Sequence, residues 1–171
     1  MSEQKISYEE KIVGSWDEAK DRVKAWQAQG LKVGFTNGTF DIVHAGHVGY
    51  LDLAKQKCDK LVMGLNTDVS VKLYKGPDRP VNDEPARAAV IAALESIDLV
   101  VFFGGEKEGD DNSPSAILDY IRPDVIFKGG DYTVDQMPEA QVVLAYGGDV
   151  EIMSLFEGFS TTNIIKKINQ K

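Results

Sequence analysis

Five short apolar runs, separated by helix-period segments, constrain this chain more than any other feature. They are Leu31–Thr36, Leu61–Leu65, Asp98–Phe103, Asp124–Lys128 and Val150–Leu155. Within each run the apolar residues are continuous rather than alternating, the mark of strands covered on both faces in a parallel sheet. The pattern therefore predicts an α/β protein: a single doubly wound parallel five-stranded sheet with helices on both faces. In such a sheet ligands bind beyond the carboxyl ends of the strands, where the strand order reverses.

Between the runs, Ser15 and Glu18 form a capping box for a helix to about Gln29, striped by Trp16, Ala19, Val23 and Trp26. Further helices are expected over 46–57, with Val48, Leu51, Leu53 and Ala54 inward, and over 84–96, with Pro85 in the first turn. Others follow over 113–121, 138–146 and 160–169. Residues 1–14 are expected to be an extended lead-in, 69–83 a loop rich in Lys, Gly and Pro, and 104–112 a mobile acidic loop. Residues 1–30 then form a lead-in and helix, and 31–171 the domain proper, the two making one compact unit.

With 171 residues, the chain is long enough for one domain with its own core. A net charge of −8 disfavours nucleic acid and anionic membranes as partners. Any site for an anionic ligand must then be made positive locally. A single cysteine, Cys58, excludes an internal disulfide and suits a reducing compartment; it is expected at the end of a helix or on its buried face rather than as a nucleophile. No apolar run is long enough to cross a membrane, and Met1–Lys5 has no signal-peptide character, so a cytoplasmic location is expected.

The unusual residues gather after the runs. After the first come Asn37-Gly38-Thr39-Phe40-Asp41 and the chain's two histidines, His44 and His47, flanking Gly46. Asn37-Gly38 reads as a turn, and a helix opens near Gly46. A strand, a Gly-containing loop and a helix N-terminus make a natural phosphate seat. After the second run come Asn66-Thr67-Asp68 and then Lys72, Lys75 and Arg79; after the fourth, Gly130-Asp131; after the fifth, Ser160-Thr161-Thr162. No Walker loop, acyl-transfer triad or zinc spacing is present. Nucleotidyl or phosphoryl transfer remains, because it needs positioning and charge neutralisation. The imidazoles can donate to phosphate oxygens while Lys72, Lys75 and Arg87 neutralise charge. Each auxiliary residue also has a plainer reading: solvated loop charge for the lysines and Arg79, turn former for Asp68 and Asp131, N-cap for Ser160.

Thr39-Phe40-Asp41 with His44-Ala45-Gly46-His47 resembles the signature of the nucleotidyltransferase superfamily of cytidylyl- and adenylyltransferases. Ser160-Thr161-Thr162-Asn163-Ile164 resembles the element that closes over the triphosphate. Lys75–Asn82 and Phe127–Tyr132 look most like the adenylyltransferase of the ADP-heptose pathway, which occurs fused to a sugar kinase and as a stand-alone protein. The length resembles the stand-alone form. Two departures, Leu155 and Asn163 where glycerol-phosphate cytidylyltransferases carry Arg and Lys, favour the heptose branch over a cytosine-specific pocket.

The resemblance implies transfer of an adenylyl group from ATP to D-glycero-D-manno-heptose 1-phosphate, with Mg²⁺ arriving on ATP and no direct protein ligands to the metal. The product would serve lipopolysaccharide core synthesis. His44, His47, Lys72 and Lys75 would be catalytic. Thr39, Phe40, Gly46, Arg87, Gly130, Asp131, Ser160, Thr161 and Thr162 would bind the nucleotide. Asp41, Asn66, Asp68 and Arg79 are expected at the sugar phosphate, and a homodimer is implied. A glycerol-3-phosphate cytidylyltransferase, and a non-catalytic nucleotide-binding module, are the rival readings.

Overall fold

In the computed structural model, which describes residues 6–154 and 158–170, all five runs pair in one parallel sheet. The strands are β1 (Val33–Gly38), β2 (Lys60–Asn66), β3 (Leu99–Phe103), β4 (Val125–Gly129) and β5 (Asp149–Met153). Their order, β3-β2-β1-β4-β5, reverses between β1 and β4. The crevice of a doubly wound sheet lies at that reversal.

The sheet separates two cores because successive strand residues face opposite ways. Leu61, Met63, Leu65, Val125 and Phe127 join one apolar cluster; Val62, Ile126, Leu99, Val101 and Phe103 join the other. The first is covered by α2 (Ala45–Lys55) and α4 (Glu84–Ala92), the second by α1 (Trp16–Ala28), α5 (Ser115–Ile121) and α6 (Pro138–Ala145). Gly64 makes room for this packing: a Cβ there would lie 2.5 Å from the Phe35 ring.

Several expectations are corrected. The stretch read as a loop over 69–83 begins as a helix, α3 (Asp68–Lys75), because the Thr67 hydroxyl accepts from the Ser70 N–H and caps it. In α2 the inward stripe is Gly46, Tyr50, Leu51 and Ala54; Val48 and Leu53 flank it and are exposed. The lead-in is not simply extended. Tyr8–Lys11 form a 3₁₀ turn capped by Ser7, and Ile12 bridges to Val100 at the sheet edge. Ser15 caps α1 by accepting from the Glu18 N–H, and Ala19 and Val23 enter the core.

Asn37-Gly38 is strand rather than turn, held in register by Gly64 and Leu65 of β2. Cys58 follows α2, as expected, and burial pushes its thiol up to about 11. The last turns of the chain form α7 (Thr161–Asn169), capped by Ser160. Leu155 lies outside the described residues. Among the described residues no helix is long and apolar enough to cross a membrane.

Candidate active site

The chain turns off β1 at Phe40, a non-glycine residue with φ +47°, and enters α2 with His44 as N-cap. The two imidazoles cap the helix reciprocally. His44 Nδ1 accepts from the His47 N–H and His47 Nδ1 accepts from the His44 N–H, each at 3.4 Å. The rings stack 3.7 Å apart, 15° from parallel, with Phe40 packed 4.9 Å from His47. Gly46 permits this, since a Cβ there would lie 2.9 Å from Phe159 and 3.1 Å from the His44 ring.

This geometry fixes the chemistry of the pair. With Nδ1 accepting, a neutral imidazole carries its proton on Nε2 and presents an N–H donor. Burial, then His44 and Lys75, hold His47 down to about 4; burial also lowers His44. Both rings are therefore neutral donors at pH 7.

His47 lines a cavity of about 230 Å³ at the carboxyl ends of β1 and β4, with Thr39, Phe40, Asp41, Lys75, Arg79 and Thr161 among others, whereas His44, stacked behind it, is not among the lining residues. The cavity shares Asn37, Gly38, Thr39, Lys75 and Lys128 with a second one of about 520 Å³. The N-terminus of α2 lies at the first cavity, and α7 brings Thr161 there, its hydroxyl donating to the Ile42 carbonyl. Helix starts of this kind favour anions. Lys75, whose ammonium is lowered by burial and by Arg79 against the pull of Asp41, completes a positive wall in an acidic protein.

Other expected site residues serve differently. Arg87 is buried and makes no contact with either cavity. Its Nε, Nη1 and Nη2 donate to the carbonyls of Asn82 and Thr39 and to Asp68. It ties the turn after β1, the 79–83 segment and the start of α3 together. Asp68 pairs with it at 2.7 Å and does not line the cavity. Asp41 lies at the wall with its carboxylate occupied by Arg79 Nε and the N–H groups of Val81 and Asn82. Burial raises its pKa, but those donors outweigh it and hold the carboxyl below the ordinary range.

Lys72 is exposed on α3, one turn from Lys75, and lines neither cavity. Gly130, bonded to the Met153 carbonyl with φ +130°, turns the chain away, so Asp131 stands exposed beside the site. Thr162 is exposed beyond the cap, and Asn66 lines the second cavity only.

Sequence reasoning missed Lys128, Thr36, Tyr50, Tyr74, Asn112, Ser113 and Glu139, which line the two cavities. A lysine ending an otherwise apolar buried strand is the signal that marks Lys128. Tyr50 is indistinguishable from core in a helical stripe, and Asn112 and Ser113 are hidden in a loop of acidic composition.

Neutral N–H donors backed by lysines suit the movement of a nucleotidyl group from one phosphate to another. The protein is of the nucleotidyltransferase class. It belongs to the cytidylyltransferase-like family, whose model matches residues 35–167. It is 47% identical over 162 residues to the bifunctional protein HldE of Nitrobacter hamburgensis, a match covering 95% of this chain and 32% of that one. It is 50% identical over 153 residues to bifunctional protein HldE of Caulobacter vibrioides, covering 90% and 30%. The chain thus spans about a third of the length of these relatives.

Among solved structures it is similar to the lipopolysaccharide core biosynthesis protein of Thermoplasma volcanium GSS1, at 28% identity and TM-score 0.57. That match covers 74% of this chain and 98% of that one. The pantoate-beta-alanine ligase of Francisella tularensis shares the fold, with TM-score 0.58 at 13% identity, covering 90% and 75%.

Proposed function

We propose that the protein transfers an adenylyl group from ATP to D-glycero-D-manno-heptose 1-phosphate, giving ADP-heptose and pyrophosphate for lipopolysaccharide core synthesis. The observation that carries this is the stacked imidazole pair beside a cavity walled by Lys75, Arg79 and Lys128 at the strand-order reversal. The match to HldE proteins, together with the heptose-branch motifs, supports the choice of sugar and base.

In this reading a phosphate oxygen of the sugar 1-phosphate attacks the α-phosphorus of ATP in line. The new P–O bond forms as the bond to the bridging oxygen of the β-phosphate breaks, and the electron pair leaves with pyrophosphate. No protein nucleophile is required. The Nε2–H groups of His44 and His47 donate to oxygens on which charge builds, and Lys75 and Lys128 neutralise the phosphates. Ser160 and Thr161, at the N-terminal turn of α7, would hold the departing phosphates, a role supported by Thr161 in the lining of the first cavity. Arg87 and Asp41 hold Thr39 and the 79–82 segment in position.

Mg²⁺ would arrive on the triphosphate and shield its charge. The carboxylates at the two cavities do not fit as its direct ligands, since Asp41 is occupied by Arg79 and two amides and Glu139 by Lys128. The resemblance also supports a cytoplasmic homodimer. A screen of ATP and CTP against sugar and polyol phosphates, read by pyrophosphate release, tests the reading. Turnover is expected with ATP and the heptose 1-phosphate, and preference for CTP with glycerol 3-phosphate overturns it.

A further inference from the structure

A groove of about 630 Å³ lies at the β3 edge of the sheet, between the Tyr8–Lys11 turn and α4. Pro85, Ala88, Ala89 and Phe102 give it an apolar lining. Glu9, Asp68, Asp83 and Glu84 add four carboxylates, and no Lys, Arg or His is among its described lining residues. Asp68 is balanced by Arg87 at 2.7 Å. The other three accept from neutral donors: Glu9 from the Tyr8 hydroxyl, Asp83 from the Ala86 N–H and Glu84 from the Asp68 N–H. The groove is therefore apolar and negatively charged at once. Val69 and Val90, next in the chain to Asp68 and Ala89, are 46% and 51% exposed.

The same chain carries the complementary surface. Among the described α-helices α7 alone has no carboxylate, and its lysines, Lys166 and Lys167, are exposed. Ile164, Ile165 and Ile168 fall at i, i+1 and i+4, on one side of the helix. Yet α7 buries no residue, and Ile168 is 66% exposed. A helix of nine residues is too short to persist in water on propensity alone and takes its stability from packing an apolar face.

Resting on the homodimer supported above, we infer that α7 of each copy docks in the β3-edge groove of the other. The isoleucines enter the apolar lining, and Lys166 and Lys167 meet Glu9, Asp83 and Glu84. This is a helix laid in a groove, with anchors one turn apart. Within one copy α7 is held elsewhere, its Thr161 hydroxyl donating to the Ile42 carbonyl, so the helix that fills the groove comes from a second copy. Two copies related by a two-fold axis make the contact twice. Both unpartnered faces are then buried, and charges of opposite sign meet.

Sedimentation equilibrium of the full chain tests this, on wild type, Ile168→Asp in the helix and Ala89→Arg in the groove. Wild type is expected to be a dimer, and each variant to raise the dimer Kd by about tenfold or more, the loss of one interface anchor. An equimolar mixture of the two variants should regain part of the lost affinity. In that pair the intact helix of one copy faces the intact groove of the other, which neither variant can achieve with itself.

A dimer unmoved by either variant overturns the pairing, as does a mixture no tighter than its components; the homodimer then stands on another face. A monomeric wild type overturns the pairing and the homodimer together, and pyrophosphate release by that monomer would leave the adenylyl-transfer reading in place. Thermal melts confirm folding. Should Ala89→Arg fail to fold, Glu9→Lys at the groove takes its place, and should Ile168→Asp fail, Lys167→Glu does. Each reverses one charge of the proposed contact at an exposed position, and the same two outcomes decide.

Discussion

The two ends of the sheet are built from opposite charges. Where strands begin, carboxylates accept from backbone N–H groups: Asp59 from Lys32, Asp124 from Val33 and Asp98 from Leu61, each at 2.7 Å. Asp98 also binds Lys55 at 2.6 Å and Lys60 at 3.4 Å. Where strands end, His47, with His44 stacked on it, Lys75, Arg79 and Lys128 collect around open space. An acidic chain can thus bind a polyanion by keeping carboxylates at the far end, and by holding those at the cavities, Asp41 and Glu139, within pairs with Arg79 and Lys128. The first end stabilises the fold, and the second carries the chemistry.

That contrast is broken most severely by removing the imidazoles. His44→Ala or His47→Ala should lower kcat by about 10²–10³, the loss expected for one transition-state donor. The melting temperature should change little by comparison. Wild-type turnover in either variant removes these residues from the reaction.

Two lysines one turn apart on α3 sharpen the comparison. Lys75 lines both cavities and Lys72 lines neither. Lys75→Ala should cost about 10- to 100-fold in kcat/KM, the scale of a lost charged hydrogen bond. Lys72→Ala should stay within about twofold, as for an ordinary surface substitution. Equal losses would mean that α3 moves on binding.

At the opposite end, Asp98→Ala should destabilise by about 1.5–3 kcal/mol, since the Leu61 N–H and two lysines lose a common acceptor. Chemical denaturation measures this, and kcat at a temperature where the variant is folded should match wild type. A fall in kcat instead would show that the two ends are coupled.

This division also explains what could be read in the sequence. Strands and most helices were legible because continuous apolar runs and capping residues are local signals. The imidazole pair was legible because the residue type is scarce and its spacing places both rings at one helix start. The roles of Arg87, Asp41 and Asp68 were not. Whether a charged side chain faces a ligand or a neighbouring loop depends on partners such as Thr39, Val81 and Asn82, up to 48 residues away in the chain. α3 was obscured because only Ser70 and Val71 are buried in it, too few to show a helical period.

The smallest effect tests the electrostatics of the pair. Burial, His44 and Lys75 hold His47 at about 4, against 6.5 for an ordinary imidazole. As pH falls through 6.5 the unfolded chain binds a proton that the folded ring refuses until about 4. Stability from this group is therefore complete above pH 6.5, declines between 6.5 and 4, and changes no further below. His44 acts in the same direction, whereas the lowered Asp41 removes stability only at more acid pH, below its ordinary 3.8. One proton sets a ceiling of ~1.4 kcal/mol per pH unit, and partial solvation of the ring reduces it. Denaturant midpoints at pH 7, 5.5 and 4.5 should fall less steeply in His47→Gln than in wild type. Identical slopes would mean that the rings do not stack as neutral donors, and the charge contrast between the two ends of the sheet would lose its most specific member.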